Sequence, residues 1–364
     1  MTTKRTKRVL RYKPMTPFEP PSDVRISTIS ALAGLNADVD QHQLYLHLPL
    51  VDKDNAEALG VFELKYYDKD SVTRKIDRYH RWGTATGDTT EITEVKKYFQ
   101  NQLTILWRYR SETGVVKVTN GFIFNTGNIK AVGLKSDTDI HLCYESLRSY
   151  LAMHAEAIGL VPREEGAALE LVNPRATMFN TDFMASNKVL REEMFRLILK
   201  EYHLEDSEFE MDIYPAVKIK FAWNADYMHG PGSADCVPGM CYCTKKCTGK
   251  GCGTGDGQCK VVTVCVFGND TTTNTKMGKI IITGANQYRQ VLDVHRFMST
   301  LLETHHERLF YREPYMETVE IEETGNAAGQ EDDNAEAGGE EASSAEAETD
   351  TDGPPAQLVA TVAS

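Results

Sequence analysis

The sequence predicts an α+β protein assembled from two copies of one unit, and three observations predict it. Gly127 and Gly133 stand six residues apart, as do Gly278 and Gly284, and the two pairs are offset by 151 positions. Around each pair an alternating apolar run, a turn and a second alternating run follow in the same order, the period of a strand with one buried face. After each pair comes a segment of helical period: Ile140, Tyr144, Leu147 and Leu151 in one copy, Val291, Val294, Met298 and Leu301 in the other.

Residues 1–22 form a basic lead in which Lys4, Arg5, Lys7, Arg8, Arg11 and Lys13 precede Pro14, Pro17, Pro20 and Pro21. It reads as a solvated tail, or as one that contacts phosphate or directs nuclear import. The first repeat spans 23–160. A strand at 26–35 leads to a helix that Asp40 can cap, carrying Leu44, Tyr45 and Leu48, and a strand follows at 61–66. A polar insertion at 68–98 interrupts it, and its last helix opens near Asp137 or Asp139. The second repeat, 161–312, has matching parts: a strand at 177–184, a helix capped by Asn187 with Leu190, Met194 and Leu197, and a strand at 217–221. A Cys-rich insertion at 225–259 follows, and the last helix opens near Asn286. Residues 313–364 are an acidic tail. From 317 onward the composition of Glu, Ala, Gly and Ser buries too little apolar surface to offset ordering entropy, which predicts disorder.

A net charge of −13 argues against a nucleic-acid partner until its location is considered. Fourteen acidic residues lie at or beyond Glu317 and no Lys or Arg follows Arg312, so the remainder of the chain carries about +1. No apolar run reaches the ~18 residues of a membrane span, and the first 14 residues lack a signal-peptide core, so neither membrane insertion nor secretion is expected.

Six cysteines (Cys236, Cys241, Cys243, Cys247, Cys252 and Cys259) fall within 24 residues. Without a secretory signal such a cluster reads as a metal site before a disulfide framework. Cys241, Cys243, Cys247 and Cys259 are the expected ligands of one structural zinc ion, with Cys236 or Cys252 able to replace a member, and reduced free thiols as the alternative. The run Gly249-Lys-Gly-Cys-Gly-Thr-Gly255 lacks the Gly-Lys-Ser/Thr ending of a phosphate loop. His203 and His229 have no evident nucleophile or carboxylate context in the sequence, and His305 and His306 are too near one another to face one metal, so no enzyme is expected.

Val264-Cys-Val-Phe267 followed by Gly278-Lys-Ile-Ile-Ile-Thr-Gly-Ala285 resembles the signature of TATA-box-binding proteins. Phe209-Glu-Met-Asp-Ile-Tyr-Pro-Ala-Val217 resembles a second stretch of that family, and Arg25 to Ile29 and Phe124 to Lys135 match it in order. The resemblance covers roughly 25–310. The Cys-rich insert and the diverged first half resemble the form carried by large DNA viruses of eukaryotes. The resemblance implies a pseudo-two-fold saddle of curved antiparallel sheet with helices on its convex face, whose concave face enters the minor groove and bends the duplex.

It also implies roles for residues. Phe124 and Phe267 fall at wedge positions, with Tyr214 and Leu59 at the second wedge of each copy. Val132, Ile281 and Thr283 fall on the groove face, where Lys130 is a departure from the family. Asn180 matches a base-contacting Asn, with Thr28 as its counterpart. Lys65, Lys220 and Lys279 are placed to meet phosphates. Against these stand plainer readings: a strand-end Phe in the core, Lys on a solvated strand face, Asn180 in a turn. The implied function is a DNA-binding transcription initiation factor on A·T-rich promoter DNA. Its implied partners are a transcription factor IIB-like protein and RNA polymerase, in the nucleus or a cytoplasmic viral factory. The alternative is a protein-interaction adaptor that has lost DNA bending. A thiol redox enzyme, resting on the Cys cluster alone, is the weakest class.

Overall fold

The computed structural model describes residues 3–67, 78–82, 89–92, 102–230, 234, 236–268 and 277–323. The chain divides into a larger unit, Tyr12–Pro314, and a smaller one made of Met1–Arg11 and Tyr315–Ser364.

In the larger unit the described strands are β2 (Arg25–Leu35), β3 (Gly60–Tyr67), β4 (Arg78–Trp82), β5 (Thr89–Ile92), β6 (Gln102–Arg110), β7 (Val116–Phe124) and β8 (Asn128–Leu134), then β9 (Leu171–Met184), β10 (Val217–Trp223), β11 (Lys260–Val266) and β12 (Lys279–Ala285). They form one sheet of eleven strands, in the order β10-β11-β12-β9-β2-β8-β7-β6-β3-β4-β5, antiparallel at each junction. Outward from the central β9–β2 seam, β12, β11 and β10 on one side answer β8, β7 and β6 on the other. β8 and β12 are each seven residues long and start 151 apart. The helices after them, α2 (Asp137–Met153) and α5 (Tyr288–Thr304), are each seventeen residues long and keep the same offset. Gly133 and Gly284 hold the same left-handed backbone, at φ 99° and 86°, a conformation open to glycine at little cost. The α+β duplication read from the sequence is therefore the architecture.

One correspondence differs. The strand that flanks β7 as β10 flanks β11 is β6, so the expected partner, 61–66, is not its counterpart; that stretch forms β3, an added strand outside β6. Short apolar alternations look alike, and only hydrogen-bond order separates them. Most of the 68–98 insertion lies outside the described residues, apart from β4 and β5, which widen the sheet on that flank.

Helices cover one face of the sheet. Alternate residues such as Ile129 and Ala131 of β8 and Ile280 and Ile282 of β12 are fully buried beneath them. The Tyr144 hydroxyl of α2 donates to the Ile129 carbonyl (3.0 Å) and accepts from the Ala131 N–H (3.1 Å), fixing helix to sheet. Trp107 of β6 donates to the Cys143 carbonyl of α2 (3.2 Å), and Trp223 of β10 to Asp293 of α5 (2.9 Å). Both indoles are buried, so each repeat anchors a strand to its long helix through one donor.

Asp40 caps α1 (Gln41–His47) as expected, accepting from His42 and Gln43. α2 opens at Asp137 as expected, capped by Ser136, and α5 opens close to Asn286, with Gln287 and Gln290 forming a capping box. The helix expected to start at Asn187 starts later, as α3 (Arg191–Lys200), without a side-chain cap. Asn187 instead accepts the Gly278 N–H through its carbonyl (3.0 Å), tying the loop to β12. Along the outer edge of β10 the N–H groups of Lys218, Lys220 and Ala222 donate to the Glu208 carbonyl (2.8 Å), the Ser207 hydroxyl (3.4 Å) and the Gly239 carbonyl (2.8 Å).

The described side chains of the lead are mostly exposed, but it is tied down at points along its length. Phe18 stacks on Phe310, with centroids 6.3 Å apart, and Ser22 exchanges hydrogen bonds with the main chain of Met184. β1 (Thr3–Tyr12) pairs with β13 (Pro314–Glu323) as a separate two-stranded sheet. The disorder expected from 317 onward therefore does not hold for 317–323, where main-chain pairing overrides composition. Residues 324–364 lie outside the described residues.

Candidate functional site: a four-cysteine centre and an uncovered sheet face

Between β10 and β11 the chain makes a compact knot with little apolar content. Asn224 caps the one-turn helix α4 (Ala225–His229), and its amide donates to the Gly255 carbonyl (2.9 Å). Asp226 accepts from the Gly255 N–H (2.8 Å), and Asp256 from the Thr244 N–H (2.7 Å) and hydroxyl. These bonds fold the chain so that the sulfur atoms of Cys241, Cys243, Cys247 and Cys259 lie within 4.8 Å of one another. Cys243 and Cys259 are 3.4 Å apart, and Cys259 and Cys241 3.6 Å. A tetrahedron with Zn–S bonds of about 2.3 Å has S···S edges of about 3.8 Å, so the cluster fits one zinc ion. Four protein ligands leave no open position, which makes the site structural. These are the four cysteines the sequence singled out. Cys252 stays outside, exposed, with its thiol directed to the Thr254 carbonyl. The glycine run forms this loop, with no strand–helix junction for a nucleotide phosphate.

Two of these thiols shift in opposite directions. Burial pushes the Cys243 thiol up, but hydrogen bonds from Cys259, the Gly257 N–H and Tyr227 outweigh it and bring it down to about 7. Burial first, then Cys243 and Cys241, push the Cys259 thiol far above its usual range. A zinc ion would replace these protons and remove the competition, so the energy of ligation there is also folding energy of the loop.

The knot is joined to the core by a carboxylate that the sequence did not reveal. Asp293 of α5, 4% exposed, accepts from Trp223, lies 2.8 Å from His229 Nε2, and pairs with Arg296 at 3.2 Å. His229 therefore has a carboxylate partner after all, 64 residues away in sequence. Only the helical register of α5 could have indicated it.

The second feature is the other face of the sheet. Among the described residues no helix packs on it. Its residues have the opposite parity to the core: Lys218 and Lys220 on β10, Thr263 and Cys265 on β11, Lys279, Ile281 and Thr283 on β12, Asn180 and Asp182 on β9. Across the seam it continues through Thr28, Val132 and Lys130 to Phe122, Phe124 and Thr104. The structure thus brings Asn180, Thr283, Ile281, Val132, Phe124, Phe267, Lys220, Lys279 and Lys65 to one face. The Thr283 hydroxyl donates to the Asn180 side chain, and the neighbouring Thr28 hydroxyl is buried without a partner.

Tyr214 and Phe267 meet edge to face at one end, with centroids 5.9 Å apart. Lys218 lies over the Tyr214 ring at 4.9 Å. Leu59 does not form the matching pair with Phe124. It precedes β3 beside Arg108, whereas Phe124 faces Gln102 at the other end of β6. The position equivalent to Tyr214 precedes β6, outside the described residues. Lys65 is bound to Glu63, so it is less available to an anion than Lys220. Phe122, between Lys130 and Thr104, belongs to the face and was missed, although its two-residue spacing from Phe124 was the signal.

Asp182, like Glu63, brings a carboxylate to this face. Burial pushes its carboxyl up, but hydrogen bonds from Arg25 (2.7 Å) and Ser27 outweigh it and hold it below the usual carboxylate range.

No protein-family model and no curated protein sequence matches the chain. Among solved structures, Methanococcus jannaschii TBP is similar over 79% of this chain and 99% of its own, at 11% sequence identity and a TM-score of 0.37. A likeness this remote carries no functional argument.

Proposed function

We propose that the chain binds double-stranded DNA through the uncovered sheet face, enters the minor groove and bends the duplex, as a transcription initiation factor. The observation that carries this reading is the face itself: a broad strip of small, apolar and hydroxyl side chains without a helical cover, with Phe124 on one half and the Tyr214–Phe267 pair on the other. The minor groove shows a degenerate acceptor pattern that shape, hydroxyls and amides can meet without a base code. Asn180 and Thr283 supply such groups at the centre. Lys130, Lys218, Lys220 and Lys279 can face phosphates, while the acidity of the chain lies in its C-terminal region. A transcription factor IIB-like protein and RNA polymerase are the partners of this reading, and a nucleus or cytoplasmic viral factory its setting.

Phe124→Ala and Phe267→Ala should lower the bend angle, measured by energy transfer between duplex ends, with the fold intact. A wedge offsets the few kcal/mol of unstacking a base step only if it inserts. An unchanged angle in both variants removes the wedge role. A salt series on A·T-rich and G·C-rich duplexes separates the two functional classes: no preference, or no binding, supports the adaptor, a reading favoured by the carboxylates of Asp182 and Glu63 on the same face.

A further inference from the structure

We propose that β1 is a basic arm for the nucleic-acid backbone and that β13 occupies it as an internal stand-in for phosphate, displaced when DNA arrives. The inference rests on the DNA-binding reading above. β1 has five Lys and Arg in ten residues and no acid, and β13 has four Glu and no base. Among the described residues the two strands pair with each other and with no other strand.

Where they enter the larger unit, the Lys13 N–H donates to the Glu313 carbonyl (3.0 Å) and the Lys13 ammonium meets the Glu313 carboxylate (2.8 Å). Beyond that, Arg11 meets Glu317 (2.9 Å). Numbers fall along one strand as they rise along the other, so the pairing is antiparallel. The paired side chains are 44–59% exposed. Leu10, Tyr12, Tyr315 and Met316 are also exposed, and none of the described side chains of this sheet is buried. A two-stranded sheet without a core is marginal, and exposed ion pairs contribute little and are screened by salt.

Such a pairing is therefore reversible. A carboxylate offers Arg the same pair of acceptor oxygens as a phosphate, which explains why Glu can occupy the arm. A duplex presents many more charges and releases counterions on binding, which explains why it would win. In the fold itself Lys7, Arg8 and Arg11 are exposed and cover no core.

The test compares the full chain with two variants on a fluorescent A·T-rich duplex over a range of salt. In the first, Glu313, Glu317, Glu320, Glu322 and Glu323 are each changed to Gln. The second adds Lys4→Gln, Arg5→Gln, Lys7→Gln, Arg8→Gln and Arg11→Gln. The first should bind roughly 3–10-fold tighter at low salt, with the gap closing as salt rises, since the described Glu313 and Glu317 pairs are exposed. Its plot of log affinity against log salt should steepen by about 0.9 for each further phosphate that the freed arm neutralises. The second should lose both effects and bind more weakly than the parent. A first variant that superimposes on the parent at each salt, whether both bind or neither does, overturns the proposal. Repeating the comparison with Phe124→Ala and Phe267→Ala separates the two readings. If those changes leave bending untouched while the Gln effects persist, the arm stands and the sheet-face reading falls.

Discussion

Replacing Gly253 by Ala, with Gly255→Ala as its control, measures how far the cysteine knot depends on its fit against the core. The two glycines share φ 85°. A Cβ on Gly253 would lie 2.4 Å from Cζ3 of Trp223, whereas the nearest atom to one on Gly255 is Gln258 Cγ at 4.0 Å. Trp223 cannot yield cheaply, because its indole is buried and donates to Asp293. Left-handed backbone costs an alanine about 1–2 kcal/mol at either site. Overpacking adds about 1–3 kcal/mol at Gly253 alone. Because loop folding and metal ligation share one free energy, these costs appear as lost zinc affinity. Gly255→Ala should weaken binding by about 5–30-fold, and Gly253→Ala by roughly a further tenfold. Competition against a chromophoric chelator, with metal content checked by elemental analysis, reads both. Equal weakening in the two variants would show that contact with Trp223 plays no part in holding the site.

Two further outcomes are expected of the larger unit. The Asp182 carboxyl is depressed in the fold, so its contribution to stability is complete above the ordinary carboxylate range and is lost as pH falls through its lowered value. Asp182→Asn should therefore flatten the acid limb of stability against pH, and urea midpoints that run parallel to those of the parent from about pH 5 to about pH 2 would refute the pairing with Arg25 and Ser27. Tyr144→Phe leaves the Ile129 carbonyl and Ala131 N–H short of a buried partner and should cost about 1–3 kcal/mol. A change within about 0.5 kcal/mol in denaturant unfolding would place that hydroxyl outside the stabilising network.

The duplication was legible because glycine spacing and helical period survive when side chains drift: the same 151-residue offset fixes β8 against β12 and α2 against α5. The zinc ligands were legible because cysteines are rare and crowd one stretch. The partner of β7 was not, since 61–66 and 102–110 both alternate and the sequence does not state which of them hydrogen-bonds to it. Leu59 was misaligned with it. Asp293 looked like a surface residue on an amphipathic helix, and only its approach to Trp223 and His229 shows otherwise. The strand at 314–323 was hidden for a different reason: its composition is that of a solvated tail, and its order comes from a partner at the far end of the chain.

An exposed strand edge invites a second chain to continue the sheet. β10 avoids this because Lys218, Lys220 and Ala222 already have acceptors, and the acceptor for Ala222 is Gly239, two residues before the ligand Cys241. Zinc ligation should therefore also help keep this edge closed. When zinc is stripped and the loop loosens, the Ala222 N–H is the group on this edge uncovered most directly, at the Trp223 end of the strand and beside the apolar β11. Aggregates of the metal-free protein should then grow by strand addition from that end, while the opposite end of the edge, bridged by Glu208, stays closed.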